Sequence, residues 1–66
     1  MKLGESVKKL RDENHMTQEN LAKEVGITTS MIGHIETGMK IPSLAVVLKL
    51  AEVLNSTVDE MCNGVA

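Results

Sequence analysis

The chain has 66 residues, with 7 lysines and arginines against 9 aspartates and glutamates, no aromatic residue and a formal net charge of −2. This length leaves room for one domain only, residues 1–66, with an aliphatic core. The single cysteine, Cys62, excludes an internal disulfide and a cysteine-based zinc site, and no apolar run approaches the ~20 residues that span a bilayer.

These exclusions define the expected surroundings of the protein. We expect a cytoplasmic protein with no metal, no cofactor, no dedicated small-molecule ligand and no membrane partner. Because the sequence begins with a methionine, we also expect a complete gene product without a separate effector or catalytic domain. The sequence offers no nucleophile–base pair, no paired acids in a plausible pocket and no phosphate loop, so we expect that the protein is not an enzyme.

The first predicted helix covers about residues 3–13. Leu3, Val7 and Leu10 recur at helical spacing and form an apolar stripe, while charged side chains occupy the other faces. Asn14 follows directly, and since asparagine tolerates the left-handed conformation, we expect it to end the helix in that conformation.

The second predicted helix begins after Thr17, a favourable N-cap, and runs to about Val25. It carries a small residue, Ala22, where a neighbouring helix can cross closely. Gly26 follows, and a glycine there supplies the positive φ that ends a helix at little cost.

The third predicted helix starts after a single bridging residue. It can begin at Thr28 and stops before Gly38, and it directs Ile32 and Ile35 inward. A turn this short forces two helices to cross at a large angle, as in a helix-turn-helix unit, which we place at about residues 18–37.

The starts of the last two predicted helices are marked by capping residues. Ser43, after Pro42, is an N-cap for a nearly all-apolar fourth helix, and Thr57 with Glu60 matches a capping box for a fifth helix that ends at about Met61. The tail, residues 63–66, is expected to fray. The stripe of the fourth helix expected to face the core consists of Leu44, Val47, Leu48, Ala51 and Leu54.

The order of these segments resembles the phage Cro/repressor-type (XRE-like) helix-turn-helix regulators. The first half of their motif is similar to TQENLAKEVGI at residues 17–27, and the second half to IGHIETG at 32–38. Their fourth and fifth helices are similar to PSL at 42–44, LKLAEVL at 48–54 and TVDEM at 57–61. The resemblance implies an all-α, compact five-helix, lambda-repressor-like DNA-binding domain. It also implies an operator-bound dimer with two-fold symmetry and its third helix in the major groove.

The resemblance further implies roles for individual residues. Gln18 is expected to touch a DNA phosphate and to brace the third helix, and Arg11 and Glu36 are expected to form a structural ion pair between the first and third helices. The other residues expected to contact base edges or the DNA backbone are Thr28, Thr29, Ser30, Gly33, His34, Lys40 and Ser43.

The side chains of the third helix suit DNA recognition only in part. The hydroxyl groups of Thr28, Thr29 and Ser30 can bond base edges, and threonine methyl groups can pack on thymine methyl groups. Capping of a solvated helix end is the alternative role for these three residues. The helix has no Arg, Lys, Gln or Asn, so the bidentate contacts that discriminate bases by about 1–3 kcal/mol each are missing. Sequence specificity is therefore expected to be low or to depend on DNA shape.

Positive charge is concentrated in the first half of the chain. Lys2, Lys8, Lys9 and Arg11 crowd the first helix, and no basic residue follows Lys49. We therefore expect a basic-to-neutral DNA face and an acidic C-terminal end. Few phosphates would then be neutralised, and the salt dependence of DNA binding would be shallow.

Apolar residues outside the main stripes predict a partner surface. A two-fold interface at the end of the molecule around the fifth helix would place two third helices roughly 34–36 Å apart, one turn of DNA. The residues expected at this interface are Val46, Val53, Val58, Met61 and Val65.

Together these features favour a sequence-specific DNA-binding transcriptional regulator, a repressor by expectation, from a bacterium, phage or mobile element. It would bind a palindromic operator as a homodimer with helix 28–36 in the major groove, and it would be nucleoid-associated when bound. The alternative is a helix-turn-helix module that binds protein, such as an antitoxin or accessory factor, with weak or no specific DNA binding. The acidic balance and the weak readout set of the third helix favour that alternative.

Overall fold

Five α-helices follow one another in the computed structural model, which describes residues 2–64 and contains no strand within them. The expected all-α, five-helix fold is thus confirmed. In chain order the helices are α1 (Leu3–Glu13), α2 (Gln18–Val25), α3 (Thr29–Glu36), α4 (Leu44–Val53) and α5 (Val58–Asn63). None of the helices described is long and apolar enough to cross a membrane.

The aliphatic core lies where all five helices meet. Helix α3 packs against α1 and α2, α4 packs against α2 and α5, and α5 closes the bundle against α1. Every helix contributes at least one buried apolar side chain, and the crossing residue Ala22 is buried as predicted. The largest fully buried apolar side chains are Leu21, Ile32, Ile35, Leu50, Leu54, Met61 and Val7.

The ends of α1 and α5 differ from expectation in detail. Asn14 has φ −89° and is not left-handed, because its side-chain amide donates to the Leu10 carbonyl at 2.7 Å and keeps it near the helix. The left-handed residue is His15, with φ +56°. The Thr57 hydroxyl accepts from the Glu60 amide, but the Glu60 carboxylate accepts from the Thr57 hydroxyl at 3.0 Å rather than from the backbone N–H of a full capping box. Helix α5 continues to Asn63, two residues past its predicted end.

The face that helix α4 turns to the core is shifted from the predicted one, although Val47, Ala51 and Leu54 are buried as predicted. Leu44 and Leu48, which were expected inside, are 69% and 53% exposed. The buried residues of the helix are Val47, Leu50 and Ala51. Because nearly every position of α4 is apolar, helical periodicity alone does not distinguish two adjacent stripes, and the packing partners decide between them.

Candidate nucleic-acid interface

Helices α2 and α3 are joined by a tight turn that two backbone hydrogen bonds close. Gly26 has φ +86°, and its N–H and that of Ile27 both donate to the Ala22 carbonyl, at 2.8 and 3.0 Å. This is the pattern in which a left-handed glycine satisfies the last carbonyls of a helix. The turn therefore ends α2 and starts α3 within three residues, as predicted.

Side-chain caps define where both helices of this unit begin. The Thr17 hydroxyl accepts from the Asn20 amide at 3.0 Å, and the Asn20 side chain accepts in return from the Thr17 N–H at 3.2 Å. The Thr28 hydroxyl accepts from the Met31 amide at 3.1 Å, so Thr28 is the N-cap of α3. This bond engages an oxygen lone pair of Thr28 and leaves its hydroxyl proton available.

Helix α3 divides cleanly into a buried and an open face. Ile32 and Ile35 are at most 1% exposed and anchor the helix in the core, as predicted. On the opposite side Thr29 and Ser30 are exposed, and Gly33, one turn on, is half-buried. Together with Thr28 and His34 these residues form one open surface, which we call the reading face. It carries hydroxyl groups, an imidazole and a bare stretch of backbone.

The carboxylate of Glu36 is a hub that ties three helices together. Arg11 of α1 donates to it through Nε at 2.7 Å and through Nη2 at 3.3 Å, and Gln18 of α2 donates through Nε2 at 3.0 Å. The side chains of Arg11 and Glu36 are only 11% and 4% exposed. Hydrogen bonding to Glu36 raises the pKa of Arg11 above its usual value, so the guanidinium stays charged. The predicted ion pair forms, and Gln18 braces α3 as expected.

Helix α1 also approaches the end of α3 closely at Gly4. A Cβ atom at this position would collide with the Ile35 carbonyl oxygen and lie 2.7 Å from the Glu36 carbonyl oxygen. Only a glycine permits this backbone-to-backbone contact without a shift of one helix. The tilt of α3 is therefore fixed at its C-terminal end by backbone contact as well as by the Glu36 carboxylate.

The loop after α3 places the remaining predicted DNA contacts at the surface. Lys40 is exposed, and its backbone N–H donates to the His34 carbonyl at 3.1 Å, which fixes the loop against α3. Ser43 is exposed and caps α4 by accepting from the Val46 amide at 3.4 Å. Lys40 and Ser43 thus both lie at the surface, on the segment that leads from α3 into α4.

Of the described residues predicted at a dimer surface around α5, one is buried in the core. Met61 is fully buried in the core, because it fills the space between α5 and the rest of the bundle, so its prediction is wrong. Val46, Val53 and Val58 are partly buried and pack against the core. Val65 lies outside the described residues.

Two features of the surface escaped the sequence reasoning. Thr37, the C-cap of α3, is exposed and donates its hydroxyl to the His34 carbonyl at 3.3 Å; its position eight residues after Thr29 could have placed it on the same side. Large apolar side chains are also exposed in and after the loop. They are Met39, Ile41, Leu44 and Leu48.

The groups with metal-binding potential are dispersed. Within residues 2–64 no three His, Cys, Asp or Glu side chains lie close enough together to hold a metal ion. The described site is therefore an exposed helical face with neighbouring loops.

Comparison with known proteins agrees with this geometry. The sequence matches the Helix-turn-helix family over residues 7–61. YazB of Bacillus subtilis, described as an uncharacterized HTH-type transcriptional regulator, is 40% identical over 58 residues, 88% of this chain and 84% of YazB. RstR of Vibrio cholerae, a cryptic phage CTXphi transcriptional repressor, is 31% identical over 62 residues, 94% of this chain and 55% of RstR.

A similar solved structure is that of SinR, a master regulator for biofilm formation, in complex with DNA. Its TM-score is 0.85 at 26% identity, and the match covers 91% of this chain and 97% of that chain.

Proposed function

This chain belongs to the helix-turn-helix family, and we propose on that basis that it regulates transcription by binding duplex DNA through α2, the turn and α3. The observation that carries the proposal is the reading face. Its hydroxyl side chains are exposed and His34 is half-buried, on a helix whose other face is buried and whose end is fixed by the Glu36 hub. Groups that read base edges must be held rigidly, because a small misplacement breaks their hydrogen bonds.

The reading face enters the major groove in this proposal. Thr29 and Ser30 offer hydroxyl groups to base edges, and the methyl group of Thr29 packs on a thymine methyl. Gly33 has no side chain at the position where α3 lies deepest in the major groove, so the helix backbone approaches the bases there. His34 donates to a guanine edge or a phosphate. Such a surface recognises a site through few direct contacts, and DNA shape supplies the rest of the specificity.

Contacts to phosphates orient the helix in the groove. Gln18 keeps its bond to Glu36 and uses its other N–H on a phosphate. Lys40 and Ser43 meet the backbone from the loop side. The N-termini of α2 and α4 contribute unpaired backbone N–H groups and a partial positive charge, which attract phosphates without a cationic side chain.

The regulatory action follows from occupancy of a palindromic operator by two copies. Helix α3 of each copy reads one half-site, and the bound dimer excludes polymerase from the promoter. The name of RstR, a transcriptional repressor at 31% identity, supports the repressing sign. The protein acts in the cytoplasm, where this DNA is accessible.

Selection of DNA from a random duplex pool, followed by fluorescence anisotropy, tests the proposal. We expect the protein to enrich a defined sequence and to bind it about 10³-fold or more tightly than a scrambled duplex at about 0.15 M salt. The double variant Thr29→Ala plus Ser30→Ala should lose most of that preference while its circular dichroism stays unchanged.

The control is Asp59→Ala, which changes an exposed first-turn residue of a different helix, α5, and should keep the preference. Equal affinity for selected and scrambled duplexes would contradict the proposal. Recovery of a protein partner that protects the reading face would then support the protein-binding alternative, for which the net charge of −2 argues.

A further inference from the structure

A groove lies between the start of α1 and the end of α5. The Lys2 N–H donates to the Cys62 carbonyl at 3.0 Å and holds the two helix ends together. Beside this bond the groove has a volume of about 270 Å³. Its lining consists of Lys2, Glu5, Ser6, Lys9, Asn63 and Gly64. None of these residues belongs to the reading face or to the Glu36 hub.

The hydroxyl group of Ser6 is the buried polar group of this groove. Ser6 is only 1% exposed, and its Oγ atom has no hydrogen-bond partner among the residues that the structure describes. A serine inside a helix commonly bonds to the carbonyl one turn earlier. Here that carbonyl, of Lys2, accepts from the Ser6 backbone N–H at 3.0 Å. Because buried polar groups are nearly always paired, a molecule bound in the groove would satisfy this hydroxyl.

Gly64 leaves the opposite wall of the groove without a side chain. A Cβ atom at this position would lie 3.0 Å from Cδ and 3.7 Å from Cβ of Lys2. A side chain at residue 64 would therefore press on the aliphatic part of Lys2 and occupy part of the groove. The glycine thus keeps space beside Lys2 for another molecule.

The charges around the groove indicate what kind of molecule fits it. Lys2 and Lys9 carry two positive charges and Glu5 carries one negative charge, so one positive charge is left in the lining. Lys2, the N-cap of α1, provides no side-chain cap, so the N–H groups of the first turn add a partial positive charge. Asn63 contributes an amide that can donate as well. This balance suits a ligand with a single negative charge.

The volume of the groove limits the size of that ligand. Sites for drug-sized molecules measure about 300–1,000 Å³, and this groove lies just below that range. The two oxygens of one carboxylate can accept from several donors at once. A phosphate ester carries about −1.5 to −2 at neutral pH, which is more than the lining offsets. Size and charge therefore both favour a small carboxylate.

We propose that the groove binds a small molecule with one carboxylate group. The Ser6 hydroxyl and the Asn63 amide donate to the carboxylate oxygens, and the Lys2 ammonium group neutralises their charge. Glu5 repels a second negative charge. This site goes beyond the proposed function, and it departs from the expectation, drawn from the sequence, that the protein has no dedicated small-molecule ligand.

The groove and the contact with α3 are on different sides of α1. Ser6 follows Gly4 by two residues, which is about 200° around a helix with 3.6 residues per turn. Gly4 is the residue that lies against the backbone of α3, so the groove opens on the side of α1 turned away from α3. Carboxylate binding can therefore be measured without DNA, and its result does not depend on the proposed function.

Nuclear magnetic resonance titration with sodium acetate tests the site. Separate samples of ¹⁵N-labelled protein receive acetate or chloride at equal ionic strength and neutral pH. We expect saturable shifts of the Ser6 backbone amide and the Asn63 side-chain amide with acetate, and none with chloride. Ser6→Ala should weaken acetate binding about tenfold or more, as for a lost hydrogen bond to a charged group. Its melting temperature should not fall, because Oγ has no partner to lose among the described residues.

Lys2→Met and Lys8→Met form a matched pair, since both lysines are exposed and only Lys2 lines the groove. Lys2→Met should weaken acetate binding about three- to fivefold, as for an exposed ion pair, and Lys8→Met should leave it unchanged. Equal losses for the two variants would overturn the proposal, and so would matching shifts in acetate and chloride. Tighter binding of methyl phosphate than of acetate would contradict a singly charged ligand.

Discussion

At the scale of single residues, Glu36 is the shared acceptor that links the polar contacts of Arg11 and Gln18. Its carboxylate is 4% exposed and accepts from both Arg11 and Gln18, so it joins α1, α2 and α3. A charge buried to this degree is tolerable only while its donors remain. The same network sets the position of Gln18, which the proposed function uses on a phosphate.

Removing the arginine tests this dependence. Arg11→Met should lower the free energy of unfolding by about 3–5 kcal/mol, because it leaves the Glu36 carboxylate buried without its cation. The exposed pair of Lys49 and Glu52, at 3.7 Å, provides the contrast. Lys49→Met should change stability by no more than about 1 kcal/mol. Urea unfolding of both variants measures the difference, and equal losses would contradict a buried hub.

Two helical glycines should respond to alanine in opposite ways. Gly4→Ala brings a methyl group into the carbonyl oxygens of α3 and should destabilise the fold by about 1–3 kcal/mol. The Cβ atom of Gly33→Ala would meet nothing nearer than Gln18 Nε2 at 3.9 Å. That variant should gain up to about 1 kcal/mol from helix propensity.

Thermal melting measures the stability of both glycine variants, and DNA titration measures the DNA affinity of Gly33→Ala. A Gly33→Ala protein that is more stable but binds DNA more weakly would place Gly33 at the groove. Unchanged DNA affinity would contradict a close approach of the α3 backbone. Gly4→Ala without any loss of stability would contradict the tight contact between α1 and α3.

At the scale of the elements, the sequence determines where helices begin better than which way they face. Thr17, Ser43 and Thr57 are predicted as caps, and capping is the alternative role for Thr28. All four accept the expected backbone N–H. A cap depends on residues three positions apart, so it can be predicted from the local sequence. The turn at Gly26 can be predicted for the same reason, since it too depends on neighbouring residues.

The parts that sequence reasoning missed depend on contacts between distant segments. The outward face of α4 could not be chosen, because its partners in α2 and α5 decide which of two apolar stripes is covered. The close approach at Gly4 involves backbone oxygens that no residue type reveals. The bond between Gln18 and Glu36 spans 18 residues, and the expectation that Gln18 braces α3 came from family resemblance. The ion pair of Arg11 was reached through family resemblance and not through spacing.

Substitutions at the N-cap and on the reading face of α3 should have different effects on stability. Thr28→Ala should cost about 1 kcal/mol of stability, because the Met31 amide loses its acceptor. Ser30→Ala should change stability by less than about 0.5 kcal/mol, since its exposed side chain makes no capping bond. Chemical denaturation of the two variants checks this, and a larger loss for Ser30→Ala would contradict the division of roles.

At the scale of the whole molecule, charge limits how the protein holds DNA. The net charge is −2, and of the residues assigned to the interface only Lys40 carries a permanent positive charge. Neutral donors and helix N-termini therefore supply most phosphate contacts. Affinity from such contacts depends less on counterion release than affinity from lysines and arginines.

The salt dependence of DNA binding measures this property. Because Lys40 is the one permanently charged residue of the assigned interface, about one phosphate is neutralised per copy, and the slope of log K against log salt should lie near −1 for one half-site. Anisotropy titrations over a range of salt concentrations give the slope. A slope steeper than about −6 would mean that the lysines of α1 also contact DNA, contrary to the assigned face.

The central claim is that the reading face of α3 contacts DNA, and nuclear magnetic resonance mapping tests it most directly. Uniformly ¹⁵N-labelled protein is titrated with a selected duplex, and amide shifts are followed residue by residue. We predict the largest shifts at Gln18, Thr29, Ser30 and Gly33, with Lys40 following and the amides of α5 unchanged. Shifts confined to α5, or an unperturbed α3 at saturating DNA, would contradict the account.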